Sequence, residues 1–240
     1  MRVTRRDALK VTAAAATTLG AGKAPPMPPI VTSGGTRLYP SWDATHWWTT
    51  EPVAGWDLPH IVSLGATAAP DGATSIQDTR NTPLHGPFTR AYFQLSTRPL
   101  KDAQSLSGVV SAAVHCIEWH RRIDAKLAVQ VVVHQSDTSV RAIALPLTVD
   151  TLEFTLGNPP KSRAAQNWQL TPVSCEDGDV IAINLGIFAD NQSNLLAQGI
   201  GVWLYASESA DISRLDDPAI ANSWVEFSAQ LVFQPPPVET

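Results

Sequence analysis

The amino-acid sequence predicts an all-β fold, an antiparallel, jelly-roll-like β-sandwich with an N-terminal extension. Three segments alternate apolar and polar side chains with the period of two that a half-buried β-strand requires. Short runs rich in Gly, Pro, Asn and Asp separate these segments, and the 19 prolines suit many short strands joined by turns. No amphipathic helix longer than two turns is predicted, which disfavours a parallel α/β fold.

The three alternating segments are the strongest strand predictions. Every second side chain is a branched aliphatic one in residues 127–134 and again in residues 181–187. The third segment has the apolar positions Val225, Phe227, Ala229, Leu231 and Phe233. Further strands are predicted at residues 90–95, 108–119, 140–145, 167–170 and 198–205. About eight short strands between turns are typical of a sandwich or jelly roll.

The chain is predicted to hold one β-domain with extensions at both ends. Residues 1–24 form a basic-apolar leader or arm, and residues 25–60 form a Pro/Trp-rich extended segment. The sandwich occupies residues 61–234, and a short proline-rich tail covers residues 235–240. A length of 240 residues permits one or two domains, and all-β sandwiches often reach this size as one unit.

Charge is distributed unevenly along the chain. Residues 1–23 carry a net charge of +4 and the remainder −9, which together give the −5 of the whole chain. An acidic body repels phosphate backbones, so the β-domain is not expected to bind nucleic acid. The basic N-terminal residues remain a candidate contact with nucleic acid or with another subunit. Because 44% of residues are hydrophobic and 16% are charged, the composition excludes intrinsic disorder.

The N-terminal segment resembles a twin-arginine export signal. Arg5 and Arg6 precede a mildly apolar run over residues 11–22. A permanent membrane span needs about 20 apolar residues, so no membrane span is expected. Pro25 directly follows Ala24 and disfavours cleavage at that point. The alternative is an uncleaved arm that becomes ordered only against a partner, and the sequence leaves both interpretations open.

Possible sites for metals, disulfides and catalysis are few. Cys116, Glu118 and His120 would share one face of a strand and could ligate zinc, but such a trio also marks a solvated strand face. The turn at residues 176–179 offers calcium-type oxygens, although its Asp-Gly pair favours a simple turn. Cys116 and Cys175 are either one disulfide or two buried thiols. No nucleophile or phosphate-loop motif occurs, so no enzyme activity, metal or cofactor is expected.

Tryptophans are concentrated near the N-terminus. Of the eight in the chain, Trp42, Trp47, Trp48 and Trp56 fall within a span of fifteen residues. Indole rings stack well on sugar rings and on partner chains, so these side chains are candidates for a glycan or subunit contact. The alternative is a hydrophobic lid that closes one end of the sandwich.

Short motifs in a fixed order resemble β-sandwich virion proteins of tailed bacteriophages and prophages. They lie at Pro99–Leu100, Leu106–Val110, Cys116–Glu118, Glu176–Ile181 and Asn222–Ser228, and the likeness covers roughly residues 88–230. The last motif is the most distinctive. The resemblance implies a jelly-roll-like domain used for assembly or display, with no family active site, and the export-like leader departs from it.

Two functions follow as expectations. The first is a non-enzymatic structural protein of a phage virion, whether tail-associated, head-decorating or involved in adsorption. It would act through homo-oligomeric assembly, with copies of itself and other virion proteins as partners. The alternative is a secreted or periplasmic bacterial carbohydrate-binding module, exported by the twin-arginine-like signal and binding a cell-surface glycan.

Overall fold

A computed structural model describes residues 35–41, 60–68, 74–81, 86–118, 123–154, 161–191, 199–206, 211–213 and 221–235. These residues contain strands and no helix, so the predicted all-β class is confirmed. The strands are β1 Thr36–Ser41, β2 His60–Gly65, β3 Thr74–Asn81, β4 Gly86–Ser96, β5 Gln104–Leu106, β6 Val109–Glu118, β7 Ile123–His134, β8 Val140–Glu153, β9 Lys161–Gln169, β10 Val173–Cys175, β11 Val180–Asn191, β12 Gly199–Ala206 and β13 Trp224–Phe227.

The strands form one large, sandwich-like array and one small pair. The order of the large array is β3-β12-β6-β13-β1-β2-β4-β11-β7-β8, with β9 also pairing with β6, and β5 pairs separately with β10. The pairs of strands are antiparallel except for β2 and β4, which run parallel. Among the described strands, only β1 with β2 and β7 with β8 are pairs of consecutive strands, so most pairings join strands that are distant in the sequence.

Strand β1 connects the two halves of the array. Its first part, Thr36–Leu38, pairs with β13, and its second part, Tyr39–Ser41, pairs with β2. The half that contains β13 also contains β6, β9, β12 and β3, whereas β2 leads to β4, β11, β7 and β8. This strand lies within residues 25–60, the predicted extended segment. One six-residue strand thus provides backbone hydrogen bonds to both halves.

The main apolar core is built on the two strands with the clearest alternation. β7 and β11 pair in register along all twelve residues of each strand. The alternating aliphatic side chains of both strands point into one buried cluster with residues from β4, β6, β12 and β13. The cluster includes Phe93, Leu95, Val114, Leu127, Val129, Val131, Val133, Ile181, Ile183, Leu185, Ile187, Val202 and Phe227. The alternation in the sequence therefore identified the inner face correctly.

The other face of these strands is buried as well and carries a polar ladder. Gln94 Nε2 donates to Asn184 Oδ1 at 3.0 Å, and Asn184 Nδ2 donates to Gln130 Oε1 at 3.0 Å. All three amides are buried, on the neighbouring strands β4, β11 and β7. Each amide satisfies its neighbour, so the ladder avoids the free energy that an unpaired buried polar group costs, about 1–3 kcal/mol.

The predicted strand at residues 225–233 is wrong in its second half, because β13 ends at Phe227. The Ser228 hydroxyl accepts a hydrogen bond from the Val109 N–H at 2.8 Å, and the chain then leaves the strand. Residues 228–235 are irregular, with one isolated bridge between Leu100 and Phe233. Leu231 still packs on the core, so an irregular segment can produce the same alternation as a strand.

Other predicted strands exist but are longer than expected. β8 extends to Glu153 where the prediction ended at residue 145, and β9 begins at Lys161 where the prediction began at residue 167. Strands β1, β2, β3, β5 and β10 were not predicted. Two of them, β5 and β10, have only three residues each, too few to show a period.

Replacing Gly35 with alanine is expected to destabilise the protein by about 2–3 kcal/mol, because the new methyl group has no room. A Cβ at this position would lie 1.9 Å from the carbonyl oxygen of Phe227, which is backbone and cannot move aside without disturbing β13. Urea unfolding would measure the change. Gly65→Ala is the matched control, since its nearest neighbour would be the Ser41 Cβ at 3.5 Å. Equal stabilities for the two variants would contradict this account of Gly35.

Candidate functional site

The first candidate is the polar stretch at the end of β6, where the sequence suggested a zinc trio or a solvated face. Cys116 belongs to the main core, and Glu118 is 2% exposed, so the interpretation of a solvated face is wrong. Glu118 Oε2 accepts a hydrogen bond from the Ala125 N–H at 3.3 Å. His120 lies outside the described residues. Among the residues that the structure describes, no three His, Cys, Asp or Glu side chains are grouped to hold a metal ion.

Burial makes Glu118 an unusual acid. Removal from water raises the pKa of its carboxyl group from 4.5 to about 8, against the opposing effect of the Ala125 N–H. The nearby carboxylates of Glu153 and Asp124 raise it further. The pKa of Glu153 is also raised, first by burial and then by Asp124. Glu118 is therefore protonated at neutral pH, and it can accept the Ala125 N–H without a buried negative charge.

The opposite face of β6 carries His115, which is fully buried. His115 Nε2 lies 2.7 Å from the carbonyl oxygen of Ala221. A second, smaller apolar cluster surrounds this face, made of Ala113, Ile212, Ala221 and Trp224. A buried histidine whose ring bonds to backbone attaches one segment to another. It has no access to a substrate, so it serves the fold.

The acidic turn after β10 is confirmed as a turn. Gly178 has a φ of 85°, and the Asp179 N–H donates to the Glu176 carbonyl at 3.2 Å. Asp179 is buried and accepts the Glu176 N–H at 2.8 Å. Arg141 places its Nε 2.5 Å from Asp179 Oδ2 and donates from its second nitrogen to Glu176 Oε2 at 2.8 Å. These carboxylates already have partners within the protein.

Arg37 is the centre of a hydrogen-bonded network that the sequence did not predict. Arg37 Nε donates to Glu226 Oε2, and Arg37 NH1 donates to Asp211 Oδ2, both at 2.7 Å. The guanidinium also lies over the indole of Trp224, 4.3 Å from the ring centroid. Tyr39 donates from its hydroxyl to Asp211 Oδ2 at 2.8 Å. Through these hydrogen bonds the network links Asp211 to β1, and β1 to β13.

Burial and charge act in opposite directions within this network. Burial lowers the pKa of Arg37, but the hydrogen bonds and charges of Asp211 and Glu226 outweigh it, and the net shift is upward. The pKa of Tyr39 rises to about 12, first through burial and then through its bond to Asp211. Arg37 and Tyr39 therefore both keep their protons across neutral pH. The arrangement is suited to a fixed structural contact between β1, β13 and residues 211–213.

The two cysteines are separate, buried thiols, so the disulfide alternative is wrong. They lie on different strands, Cys116 on β6 and Cys175 on the three-residue β10. Burial is the first cause of a raised pKa for the Cys175 thiol, followed by the charge of Asp179. A raised pKa keeps the sulfur as an unreactive thiol at neutral pH.

The remaining candidate is a surface on β8. Five large apolar side chains are exposed among the described residues, and four of them lie on this one strand. They are Val140, Ile143, Leu147 and Leu152, each between 41% and 52% exposed. β8 is the last strand of the array and pairs with β7 on one side, with four irregularities in register. We call the exposed side chains of β8 the β8 surface.

No described strand other than β7 pairs with β8 in the large array. Ala144 of β8 also accepts a hydrogen bond from the Thr171 N–H at 2.7 Å. From Pro146 to Glu153 every side chain is exposed or half-buried. A long edge strand with exposed apolar side chains is a natural place for another chain to bind. The sequence missed this surface because the predicted strand ended at residue 145.

Several predicted features fall outside the described residues. They are the leader at residues 1–24 and the candidate contact residues Trp42, Trp47, Trp48 and Trp56. Their roles stay predictions. Within the described residues there is no helix of the length and hydropathy needed to cross a membrane.

Comparisons with known proteins leave the family open. No protein-family model matches the chain, and no curated protein sequence matches it. Among solved structures, it is similar to a CocE/NonD family hydrolase from Staphylococcus aureus, with 5% identity, 82% of this chain and 36% of the hydrolase covered, and a TM-score of 0.42. It is also similar to a chain of infectious bursal disease virus, Gx strain, with 10% identity, coverages of 75% and 41%, and a TM-score of 0.30.

These structural likenesses are too weak to carry an argument about fold or function, because both TM-scores are below 0.5. The chain also spans less than half of each of these proteins. The functional interpretation therefore rests on the described residues and on the sequence motifs.

Proposed function

We propose that the chain is a non-enzymatic structural protein of a virion that acts by assembling with copies of itself and with other virion proteins. The bacteriophage assignment, as a tail-associated, head-decorating or adsorption component, rests on the ordered sequence motifs. The observation that carries the assembly role is the β8 surface, which collects four of the five exposed large apolar side chains of the described residues.

The chemistry of the β8 surface supports assembly. Exposed aliphatic side chains gain about 25 cal/mol for each Å² that a partner covers. Monomeric proteins usually protect a long edge strand, and Pro146 together with the four irregularities in register gives β8 part of that protection. The apolar side chains remain exposed despite these devices. A partner that covers them explains why the strand keeps them.

The polar clusters also support a structural role. Arg37, Arg141, His115 and the Gln94–Asn184–Gln130 ladder all bind groups of the protein itself. Each cluster connects segments that are distant in sequence. A sandwich held by such cross-connections presents a rigid surface, which lowers the entropy lost on association.

Replacing Leu147 with lysine is expected to weaken self-association at least tenfold, because a charge replaces an apolar side chain at the centre of the β8 surface. Sedimentation velocity on the full chain, over micromolar concentrations, would measure the dissociation constant. Val232→Lys is the matched control, since Val232 is also apolar and exposed, at 56%, and does not lie on β8. A full chain that remains monomeric throughout this range would contradict the proposed function.

The carbohydrate-binding alternative rests on the four clustered tryptophans of the sequence. A glycan array with the full chain separates the two functions. Binding to a defined glycan that is lost in Trp47→Ala or Trp48→Ala, with no self-association, would favour the alternative. Self-association without glycan binding would favour the assembly role.

A further inference from the structure

We propose that the β8 surface binds the basic N-terminal segment, residues 2–23, of a neighbouring copy of this chain. This inference rests on the proposed function and names the partner of its assembly surface. It joins two features that the chain otherwise leaves without a role, an exposed apolar edge and a basic segment opposite in charge to the rest of the protein.

Charge complementarity is the first argument. Carboxylates flank the apolar side chains of β8 at both ends, with Asp150 and Glu153 on the strand and Asp137 and Glu176 near its start. Arg141, the base at the start of β8, is already paired with Glu176 and Asp179. Lys126, opposite Glu153 on β7, is a second base beside the strand, and the four carboxylates outnumber these two bases. The surface is therefore acidic with an apolar centre. The matching ligand is a basic segment with an apolar part.

Residues 2–23 have this composition. Arg2, Arg5, Arg6 and Lys10 stand at one end, Lys23 at the other, and the apolar run of residues 11–22 lies between them. The segment carries +4, whereas the remainder of the chain carries −9, so the two attract each other. The basic residues at both ends of this segment can therefore face the carboxylates at both ends of β8, with the two apolar parts in contact between them.

The shape of the β8 edge disfavours pairing with a second β8. Two acidic surfaces would repel each other, and Pro146 lacks the N–H that a regular ladder needs. The four irregularities in register further disturb the edge. A separate segment can follow such an edge more easily, because it is not held in a rigid strand of its own.

The dimensions are compatible with exchange between copies. Fourteen residues of β8 extend over about 46 Å at 3.3 Å per residue, which is long enough for the twelve-residue apolar run of residues 11–22, about 40 Å at the same rise. Residues 24–34 separate the basic segment from the first described residue, and extended they reach up to about 36 Å. That length reaches beyond the edge of a single sheet and allows contact with a neighbour.

Charge reversal on both sides tests the proposal in the full chain. Arg5→Glu with Arg6→Glu, and separately Glu153→Lys, are each expected to weaken self-association about threefold or more at low salt. Combining all three changes is expected to bind more tightly than Arg5→Glu with Arg6→Glu, because Lys at position 153 attracts the new carboxylates. Arg80→Glu serves as a control for altered net charge, since Arg80 lies on β3, at the opposite end of the strand order from β8. Intact mass would confirm that residues 1–24 are present in each sample.

A mixed-isotope experiment identifies which copy supplies the segment. Zero-length carbodiimide cross-linking of Lys10 to Glu153 or Asp150, in a mixture of ¹⁵N-labelled and unlabelled chains, is expected to give peptides that combine both labels. Cross-links confined to one label would overturn the exchange between copies. Self-association lost in Leu147→Lys but unchanged in Arg5→Glu with Arg6→Glu would overturn the inference and leave the proposed function standing. A monomeric wild type would overturn the proposed function itself.

Discussion

Arg37→Ala is expected to lower the free energy of unfolding by about 3 kcal/mol, because it removes the centre of a largely buried ion-pair network. Glu226, whose side chain is 9% exposed, would lose its partner, and Asp211 would lose one of its donors. The stack of the guanidinium on Trp224 would disappear as well. Chemical denaturation followed by tryptophan fluorescence would measure the change, since Trp224 lies at the centre of the affected region.

A second variant separates the geometry of the Arg37 hydrogen bonds from its positive charge. Arg37→Lys keeps the positive charge but cannot bond Glu226 and Asp211 in the same fork, so it is expected to lose about half as much free energy. Lys101→Ala, at an exposed base, is expected to change stability by less than about 0.5 kcal/mol. If Arg37→Ala changed the free energy of unfolding as little as Lys101→Ala, the network would contribute nothing to stability and this account would be wrong.

Glu118→Gln is expected to stabilise the protein by up to about 4 kcal/mol at pH 8.5 and by less than about 1 kcal/mol at pH 5. The pKa of Glu118 is about 8 in the folded protein and 4.5 when unperturbed. The folded state therefore binds its proton more tightly than the unfolded state does. The stability associated with this proton is fully present below pH 4.5 and is lost as pH rises through 8.

The comparison that tests this sign is a pair of stability profiles between pH 5 and pH 9. Wild-type stability should fall relative to Glu118→Gln across that interval, because glutamine keeps the shape and cannot ionise. Asp102→Asn is a suitable control, because this carboxylate is exposed. Asparagine also tolerates the backbone φ of 61° at this position. Parallel profiles for wild type and Glu118→Gln would show that Glu118 is ionised in the folded protein at neutral pH.

The sequence predicted those parts of the fold where one strand repeats a simple pattern. β7 and β11 alternate without interruption, and both were predicted along most of their length. β8 was predicted only as far as residue 145, because its irregular pairing with β7 breaks the alternation of buried and exposed residues. Periodicity reports a regular strand, and it fails where register shifts change which face a residue occupies.

The polar clusters could not be predicted from local sequence patterns, for a different reason. Arg37 and Asp211 are separated by 174 positions, and Arg37 and Glu226 by 189. No local signal marks residues that meet only after the whole sheet has formed. The acidic turn at residues 176–179 was predicted correctly because its Asp-Gly pair is a local signal. The alternative interpretation of Cys116, Glu118 and His120, a solvated strand face, was wrong because β6 is buried on both faces. On such a strand a polar side chain does not indicate exposure to solvent.

The position of β1 determines how the protein responds to a pulling force. A load applied at Thr36 acts on a strand that is held by β13 along its first half and by β2 along its second. Force along the strand axis loads both sets of backbone hydrogen bonds in shear, so they must break together and cannot be peeled away one at a time. Strand β1 is thus placed to transmit tension into both halves of the array at the same time.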